Sequence, residues 1–285
     1  MKHVIFILFL HGSALLGCAQ VSYFQVSHIL LEGNQRTKPS IILRELDFSV
    51  GDTIWLGQVA ERLEQNRNQL LNTRLFSEVS LNVKNWESQV PRADIVITFK
   101  EFPPILPLVW ADLADRDFNI WWKRFNFSPK RVSPYIQLTH LNLTGRQDEL
   151  KAKVQTGFTR KLEFRYNFPY LNTKQTLRTN VGVLLSDDKE ARWITANDRD
   201  SFLRDENSRL FKRFRISTGL NYRPDLFDSH QLQASFFTQR IADTVAQLNP
   251  DFFLAQRQTQ RYFSIEYNFI ADHRDFRLFA TKGYY

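Results

Sequence analysis

The sequence predicts a small α+β domain of order β-α-α-β-β, followed by an antiparallel transmembrane β-barrel of which about the first eight strands are present. The proline-rich stretch EFPPILP (101–107) divides two patterns: helical and strand-like segments before it, and long two-faced strands after it. The first twenty residues, MKHVIFILFLHGSALLGCAQ, resemble a secretory signal peptide and indicate export.

The predicted signal peptide covers residues 1–19. Its apolar stretch over residues 4–10 is too short to span a bilayer as a helix. Two processing routes fit the pattern: cleavage by ordinary signal peptidase that leaves Gln20 first, or lipobox processing that leaves an acylated Cys18. No other run of 18 or more apolar residues follows. A membrane location therefore requires a closed barrel, since lipid cannot satisfy an open sheet edge.

Composition favours a folded protein, and no sequence motif argues for catalysis. The 285 residues are 43% hydrophobic and 24% charged, with 25 Phe and a formal net charge of +8. No run of Lys and Arg favours nucleic acid. Nucleophile-elbow, phosphate-loop, dinucleotide and zinc-protease motifs are absent from the sequence, and its acidic clusters fit no calcium loop. We therefore expect no catalytic, cofactor-binding or metal-binding residues.

The small domain is predicted from local signals over residues 22–101. Two-faced strands are expected at YFQVSHILLEG (23–33), LFSEVSLNV (75–83) and ADIVITF (93–99). Pro39 fits the first turn of one helix, and residues 56–73 have the apolar periodicity of a second.

After residue 108 the sequence predicts strands and no convincing helix. The strand lengths approach the 9–11 residues that cross a bilayer at a tilt, and long connections alternate with short ones, as between the two ends of a membrane barrel. A soluble β-sandwich also alternates apolar and polar residues, and stays an alternative at this point. The eight predicted strands lie near 118–127, 133–143, 148–158, 161–168, 176–185, 210–223, 231–240 and 260–270.

RKLEFRYNFPYL (160–171) shows the alternation most clearly. Its polar positions are Lys161, Glu163, Arg165 and Asn167, which suit a wet lumen. The residues predicted to face lipid are Leu162, Phe164, Tyr166 and Phe168.

Several motifs, in order, resemble the BamA/TamA outer-membrane assembly superfamily in its Bacteroidetes-type form. They are ILLEGNQRTKPSIILREL, LLNTRLFSEVSLNV, LADRDFNIWWKRF, HLNLTGRQDEL, FPYL and DHRDFRLFATKGYY. The resemblance makes residues 20–101 one POTRA domain, 102–116 a linker or lead-in, and 117–285 the N-terminal half of an outer-membrane barrel. The positions that carry the family motifs are Gly33, Asn34, Asn142, Leu143, Gly145, Arg146, Pro169, Tyr170, Asp272, Arg274, Asp275 and Gly283.

The chain also departs from the family pattern. Family barrels usually have sixteen strands, and their Arg-Gly-Phe/Tyr loop motif would lie beyond residue 285. We expect an N-terminal fragment of a longer protein, with a complete eight-stranded barrel as the alternative.

The resemblance implies an outer-membrane protein assembly and insertion factor with its POTRA domain in the periplasm. Its partners would be unfolded outer-membrane protein clients, assembly-complex lipoproteins and outer-membrane lipid, with no cofactor and no nucleic acid. The first barrel strand, expected at Phe118 to Phe127, would border a lateral seam. The alternatives are a polypeptide-secreting transporter of the same superfamily, a passive porin-like barrel, and a soluble sandwich-containing envelope protein. The residues predicted to bind clients, by strand addition, are Phe76, Ser77, Glu78, Val79, Ser80, Leu81, Asn82 and Val83.

Overall fold

A computed structural model of the protein describes residues 22–87, 90–115 and 117–285. The predicted signal peptide and Cys18 lie outside these residues. Within them, the chain forms a small four-stranded sheet covered by two helices, and a separate sheet of eight strands.

The small domain has the predicted helices and strands, with one short strand added. Its sheet has the order β2-β1-β4-β3, in which β1 runs parallel to β4 and antiparallel to β2. The added strand is β2, which pairs Ile54 with Phe24. The elements are β1 (Tyr23–Glu32), α1 (Pro39–Leu43), β2 (Thr53–Trp55), α2 (Val59–Asn72), β3 (Phe76–Glu87) and β4 (Arg92–Glu101), with a 3-10 turn at Leu56–Gln58.

Both helices pack on one face of this sheet because the inward-facing positions of the strands are apolar. The largest buried side chains include Phe24, Ile42, Leu70 and Phe76, and Tyr170 enters the same core from the large sheet. The turn after β1 requires Gly33, which has φ +89° and lies so close to β4 that a Cβ would stand 2.2 Å from the Phe99 carbonyl oxygen.

The eight-stranded sheet is antiparallel throughout, with the order β5-β6-β7-β8-β9-β12-β13-β14. A two-stranded hairpin, β10 and β11, is inserted between β9 and β12. The strands are β5 (Ile105–Leu113), β6 (Val132–Leu141), β7 (Glu149–Gln155), β8 (Thr159–Asn167), β9 (Leu177–Asp188), β10 (Glu190–Ala196), β11 (Arg199–Arg204), β12 (Phe211–Tyr222), β13 (Asp228–Ile241) and β14 (Thr259–Ala271). Two short helices are α3 (Phe118–Phe125) and α4 (Asp243–Leu248), and a 3-10 turn covers Pro129–Arg131.

Seven of the eight predicted strands lie close to their predicted positions. The prediction of the first strand, near 118–127, was wrong. Residues 118–125 form α3, and the first strand is β5, inside the segment predicted to be a linker. The Asp117 carboxylate accepts a hydrogen bond from the Ile120 N–H at 2.9 Å and caps the helix, and Asn126 ends it at φ 45°. The prediction of no helix after residue 108 was therefore also wrong.

The two faces of the large sheet differ in chemistry. One continuous row of cross-strand partners is apolar on every strand from β5 to β14: Pro107, Leu138, Ala152, Phe164, Val183, Ile216, Phe236 and Phe263. The neighbouring row points to the opposite face, and from β6 to β14 it reads Thr139, Lys151, Arg165, Gly182, Ser217, Ser235 and Ser264. Side chains alternate between faces with period two, so each row keeps one chemistry across the sheet.

The two ends of the sheet also differ. Short turns join β6 to β7, β8 to β9 and β12 to β13 at the end beside the small domain, which we call the near end. The α3 segment, the β10–β11 hairpin and α4 lie at the far end, where Leu210, Ile241 and Val245 form a separate small core. The long connections after β9 and β13 and the short turns after β8 and β12 are as the sequence predicted, but at the far end β7 and β8 are joined by residues 156–158 alone. No helix within the described residues is long and apolar enough to cross a membrane.

Candidate functional site

The near-end turns hold the small domain against the large sheet, and Tyr170 is the central contact. This residue lies in the β8–β9 turn, is 4% exposed, and packs in the core of the small domain. The Arg44 guanidinium donates a hydrogen bond to its hydroxyl, and Arg44 Cζ lies 4.3 Å from the centre of its ring. Arg178 Cζ of β9 lies 4.2 Å from the same ring centre. Two cations therefore contact one buried aromatic ring, an arrangement that is favourable when the cations are desolvated.

A buried ion pair also connects the small domain to the near end of the sheet, and we call this contact region the joint. Arg223, which follows β12, donates to the Glu45 carboxylate through two nitrogens at 2.8 and 3.0 Å. The Glu45 side chain is 3% exposed, and Arg44 Nη1 lies 3.2 Å from the same carboxylate. The paired, planar geometry fixes orientation as well as distance, so this contact sets the angle of the small domain on the sheet.

A second contact is made by the β6–β7 turn, which carries the Asn-Leu-x-Gly-Arg motif. Asn142 Nδ2 donates to Thr37 Oγ1 at 2.9 Å, and the Lys38 N–H donates to the Gly145 carbonyl at 2.9 Å. Gly145 has φ +77°, and a Cβ there would lie 2.4 Å from the Arg36 carbonyl oxygen. Only glycine fits this approach of two backbones.

A third contact involves the segment after β14. Asn72 at the end of α2 donates to the Asp275 carbonyl at 3.2 Å and accepts from the Arg277 N–H at 3.0 Å. The Asp275 carboxylate accepts from the Thr281 hydroxyl at 2.6 Å, and this bond, with bonds from nearby backbone N–H groups, lowers its pKa. The hydrogen bond from Arg274 likewise lowers the pKa of Asp272.

Most family-motif residues of the sheet therefore meet at or beside this joint. Arg146 donates to the Tyr170 carbonyl at 3.0 Å, and Gly283 at φ +94° lets the last residues approach His273. Asn34 donates to the Thr37 carbonyl inside the small domain. Leu143 is exposed, and Pro169 precedes Tyr170 without a described polar contact. The structural role predicted for the set stays a prediction.

Sequence reasoning missed the charged residues of the joint. These residues are Arg44, Glu45, Arg178 and Arg223, and the bonded pair Glu45 and Arg223 is 178 residues apart along the chain. Arg178 and Arg223 lie beside near-end turns, whereas Arg44 and Glu45 follow α1. Many other charged residues have similar positions, so the sequence alone does not single these four out.

The predicted client-binding strand β3 is an edge strand of the small sheet, because it pairs only with β4 within the described residues. The Phe102 N–H donates to the Leu75 carbonyl, and Ser77 Oγ donates to the Lys100 carbonyl. The backbone N–H and C=O groups of the even-numbered residues of β4 therefore point toward β3. Since Val79 pairs with the odd-numbered Phe99, the backbone groups of Val79 and every second residue after it point to the free edge.

The side chains of β3 divide between core and solvent. Phe76 and Val79 are buried, and Leu81 and Val83 pack partly against the core. Ser77, Glu78, Ser80 and Asn82 are exposed. What the strand offers a partner is therefore backbone on its edge and polar side chains on its outer face, and client binding there stays a prediction.

The strand β5 forms one edge of the large sheet and pairs only with β6 in the described part of the chain. The Leu141 N–H donates to the Pro104 carbonyl, and the Ala114 N–H donates to the Arg131 carbonyl. Even-numbered residues of β5 thus bond to β6, and odd-numbered ones face the free edge. Pro107 is odd-numbered, so its missing N–H removes a donor from the free edge and none from the pairing with β6.

Both faces of β5 are apolar, unlike those of the strands beside it. Val109 is 71% exposed on the apolar face of the sheet, and Trp110 is 65% exposed on the opposite face. The edge strand therefore presents hydrophobic side chains and unpaired backbone groups together, a combination that favours pairing with another strand.

The four residues predicted to face lipid do not all have the same surroundings. Leu162 and Phe164 are 50% and 45% exposed on the apolar face. Tyr166 is half-buried, and its hydroxyl donates to Asp148 Oδ2 at 2.7 Å. Phe168 lies beyond the end of β8, with its ring centre 4.5 Å from that of Tyr166. Contact with lipid stays a prediction for all four.

A cavity of about 1440 Å³ lies between the small domain and the near end of the sheet. Its walls include Asn72 and Phe76 of the small domain, Arg178 and Arg223 of the joint, and Glu266 of β14. The cavity connects the start of β3 with the polar face of the sheet.

Comparisons with known proteins agree with this architecture. The POTRA family, described as a surface antigen variable number repeat, matches residues 24–101. The crystal structure of BamA from Haemophilus ducreyi lacking POTRA domains 1-3 is similar over 91% of this chain and 46% of that chain, at 15% identity and a TM-score of 0.51. CdiB from Acinetobacter baumannii aligns over 87% of this chain and 42% of that chain, at 9% identity and a TM-score of 0.43. No curated protein sequence matches the chain.

The small domain is a POTRA domain, and the eight-stranded sheet resembles part of the BamA barrel. The family match is confined to residues 24–101, and for the rest of the chain the similarity to BamA is one of fold. It spans less than half the length of the BamA structure that it matches.

Proposed function

We propose that this protein is an outer-membrane assembly factor that binds unfolded β-barrel clients through its POTRA domain and templates their insertion at β5. The observation that carries the proposal is that β3 and β5 are edge strands of two sheets that are in direct contact through the joint. Only residues 102–104 separate β4 from β5, and the Tyr170 and Glu45 contacts fix the small domain against the sheet.

The apolar row across all eight strands supports a membrane location. Exposed aliphatic and aromatic side chains on one face, opposite a polar face, are the pattern of a sheet with lipid on one side and water on the other. We propose that the protein lies in the outer membrane with its POTRA domain in the periplasm, where the near-end turns contact it.

The edges supply the binding chemistry. An unfolded client strand could pair with the free backbone groups of β3 by strand addition, and then with those of β5 beside the membrane. No covalent reaction is part of this proposal, since burial of the apolar client surface in lipid would drive insertion. The proposed partners are unfolded outer-membrane proteins and lipid, together with lipoproteins of an assembly complex.

Site-specific photo-crosslinking of a client during membrane assembly tests the proposal. Crosslinking amino acids placed at Ser80 on β3 and at Ala111 on β5 should capture the client, first at β3 and later at β5. The same probe at Ser217, in the central strand β12, is the matched control because that strand is paired on both sides. Equal capture at all three positions, or none at the edges, would contradict the proposal. A captured chain that ends outside the cell instead of in the membrane would indicate a secretion transporter.

A further inference from the structure

The free edge of β3 is partly covered by a side chain of its own domain. Arg67 Nε of α2 donates a hydrogen bond to the Val79 carbonyl oxygen at 3.1 Å. The Val79 carbonyl points away from β4, because Val79 pairs with Phe99, whose backbone groups do not face β3. The bond thus occupies one of the acceptors that a strand added to this edge would use.

The position of Arg67 is set from two sides. Its neighbour Asn66 is fully buried and donates to Asp47 Oδ1 at 2.7 Å, which fixes this turn of α2. Glu64, one turn earlier, accepts from Arg67 Nη1 at 2.8 Å. The Arg67 side chain is still 43% exposed, so it can leave the carbonyl without opening the core.

The remaining edge is open past this point. Leu81 and Val83 have the same parity as Val79, so their N–H and C=O groups also point outward. The side chains that border this part of the edge, Ser80 and Asn82, are small, polar and exposed. A pairing strand that docks on residues 81–83 therefore meets outward-pointing backbone groups on this part of the edge.

We propose that Arg67 is a specificity-determining residue that covers the start of the β3 edge and sets where a client strand pairs. A client that pairs at Leu81 and beyond leaves the Arg67–Val79 hydrogen bond in place. A client that extends back to Val79 must replace the guanidinium with its own backbone N–H. This inference rests on the proposed function, in which β3 binds clients by strand addition.

Peptide binding to the full protein in detergent micelles tests the role of Arg67. The probe is a fluorescent ten-residue peptide of alternating Val and Thr. Its partner is the same peptide N-methylated at alternate residues, which cannot donate the edge hydrogen bonds. Arg67→Met removes the guanidinium and keeps the aliphatic stem, and Lys84→Met removes one exposed positive charge of β3 as the matched control.

We expect Arg67→Met to bind the unmodified peptide about three- to ten-fold more tightly than the native chain, as expected for one exposed hydrogen bond. A photo-crosslinker at Glu78, next to Val79, should also capture the peptide more strongly in Arg67→Met. Lys84→Met should bind like the native chain.

The outcomes separate the two proposals. If the unmodified peptide binds better than the N-methylated one, and the Glu78 crosslinker captures it equally in the native chain and Arg67→Met, the role of Arg67 is refuted and client binding at β3 stands. If N-methylation makes no difference in either chain, strand addition at β3 is refuted and the role of Arg67 with it. Equal gains in Arg67→Met and Lys84→Met would refute the role of Arg67, because charge alone would then explain the change.

Discussion

Arg223 of the sheet and Glu45 of the POTRA domain form a two-bonded ion pair at 2.8 and 3.0 Å, with the carboxylate almost completely buried. Removing Arg223 breaks both of its bonds and leaves the buried carboxylate with Arg44, 3.2 Å away, as the neighbouring cation, so the loss should fall at the low end for a broken buried pair. We therefore expect Arg223→Met to destabilise the protein by about 3 kcal/mol. Urea denaturation in detergent micelles measures the change. Adding Glu45→Gln should recover part of the loss in a double-mutant cycle, and strictly additive losses would show that the pair is not coupled.

The close approach at Gly145 predicts a strong response to one methyl group. Gly145→Ala places a Cβ 2.4 Å from the Arg36 carbonyl oxygen at a left-handed φ, so we expect a loss of about 2 kcal/mol or more. Gly51→Ala is the matched control, since Gly51 has φ +96° and nothing within 4 Å of its Cβ position. It should lose about 1 kcal/mol from backbone strain alone. Equal losses in urea denaturation would mean that the contact between the two domains does not constrain residue 145.

The apolar row predicts different outcomes for neighbouring residues of β8. Phe164→Arg places a charge between Ala152 and Val183, where about 2–4 kcal/mol is expected for a cation near the bilayer centre. Heat-modifiable gel mobility of the membrane fraction should then be lost. Arg165→Phe changes the polar face and should retain folded, membrane-assembled protein. The assignment of the two faces fails if both variants behave alike.

Pro107 predicts that the β5 edge can be made a better partner. Pro107→Ala restores an N–H on the free side of the strand, so a pairing strand gains one hydrogen bond of about 1 kcal/mol. Client crosslinking through a probe at Ala111 should increase several-fold. Pro104→Ala is the control, because the Pro104 carbonyl faces Leu141 of β6 and its restored N–H would face that strand. An equal increase in both variants would argue against an effect at the free edge.

The POTRA domain should lose stability in acid through Asp94. Hydrogen bonds from Asn85 at 2.7 Å and His28 at 2.9 Å lower the pKa of this carboxyl. A lowered pKa adds stability above the unfolded value near 4, and that stability disappears as the pH falls toward the folded value. Thermal unfolding from pH 6 to pH 3 should therefore show a steeper loss in the native chain than in Asp94→Asn. Parallel curves would exclude this carboxyl as a source of acid sensitivity.

Strand alternation carried most of the fold prediction, and one aromatic segment shows its limit. In FNIWWKRF, Phe118, Ile120 and Trp122 alternate as in a strand, while Phe118, Trp121, Trp122 and Phe125 have helical spacing. The Asp117 cap and the left-handed Asn126 decide for the helix, and neither can be weighed from periodicity. The true first strand, ILPLVWADL, is apolar on both faces, so it lacked the alternation that revealed the others.

The joint could be predicted only in part. The Asn142 and Tyr170 turns were recognisable as short turns with motif residues, and both lie at the near end. The charged residues that complete the joint were not recognisable. The pairing of Glu45 with Arg223 depends on how the small domain packs against the sheet, and these are formed by different segments of the chain. The Arg67 contact with Val79 was hidden for the same reason: a helix residue meets a strand edge only in the folded domain.

Client insertion into liposomes tests directly whether the protein is an outer-membrane assembly factor. An unfolded outer-membrane barrel is added to vesicles with and without the reconstituted protein, and its folding is followed by heat-modifiable gel mobility. We expect faster folding in the presence of the protein, and a smaller acceleration when Leu81→Pro removes an outward-facing N–H from the β3 edge. Equal folding rates in loaded and empty vesicles would contradict that role.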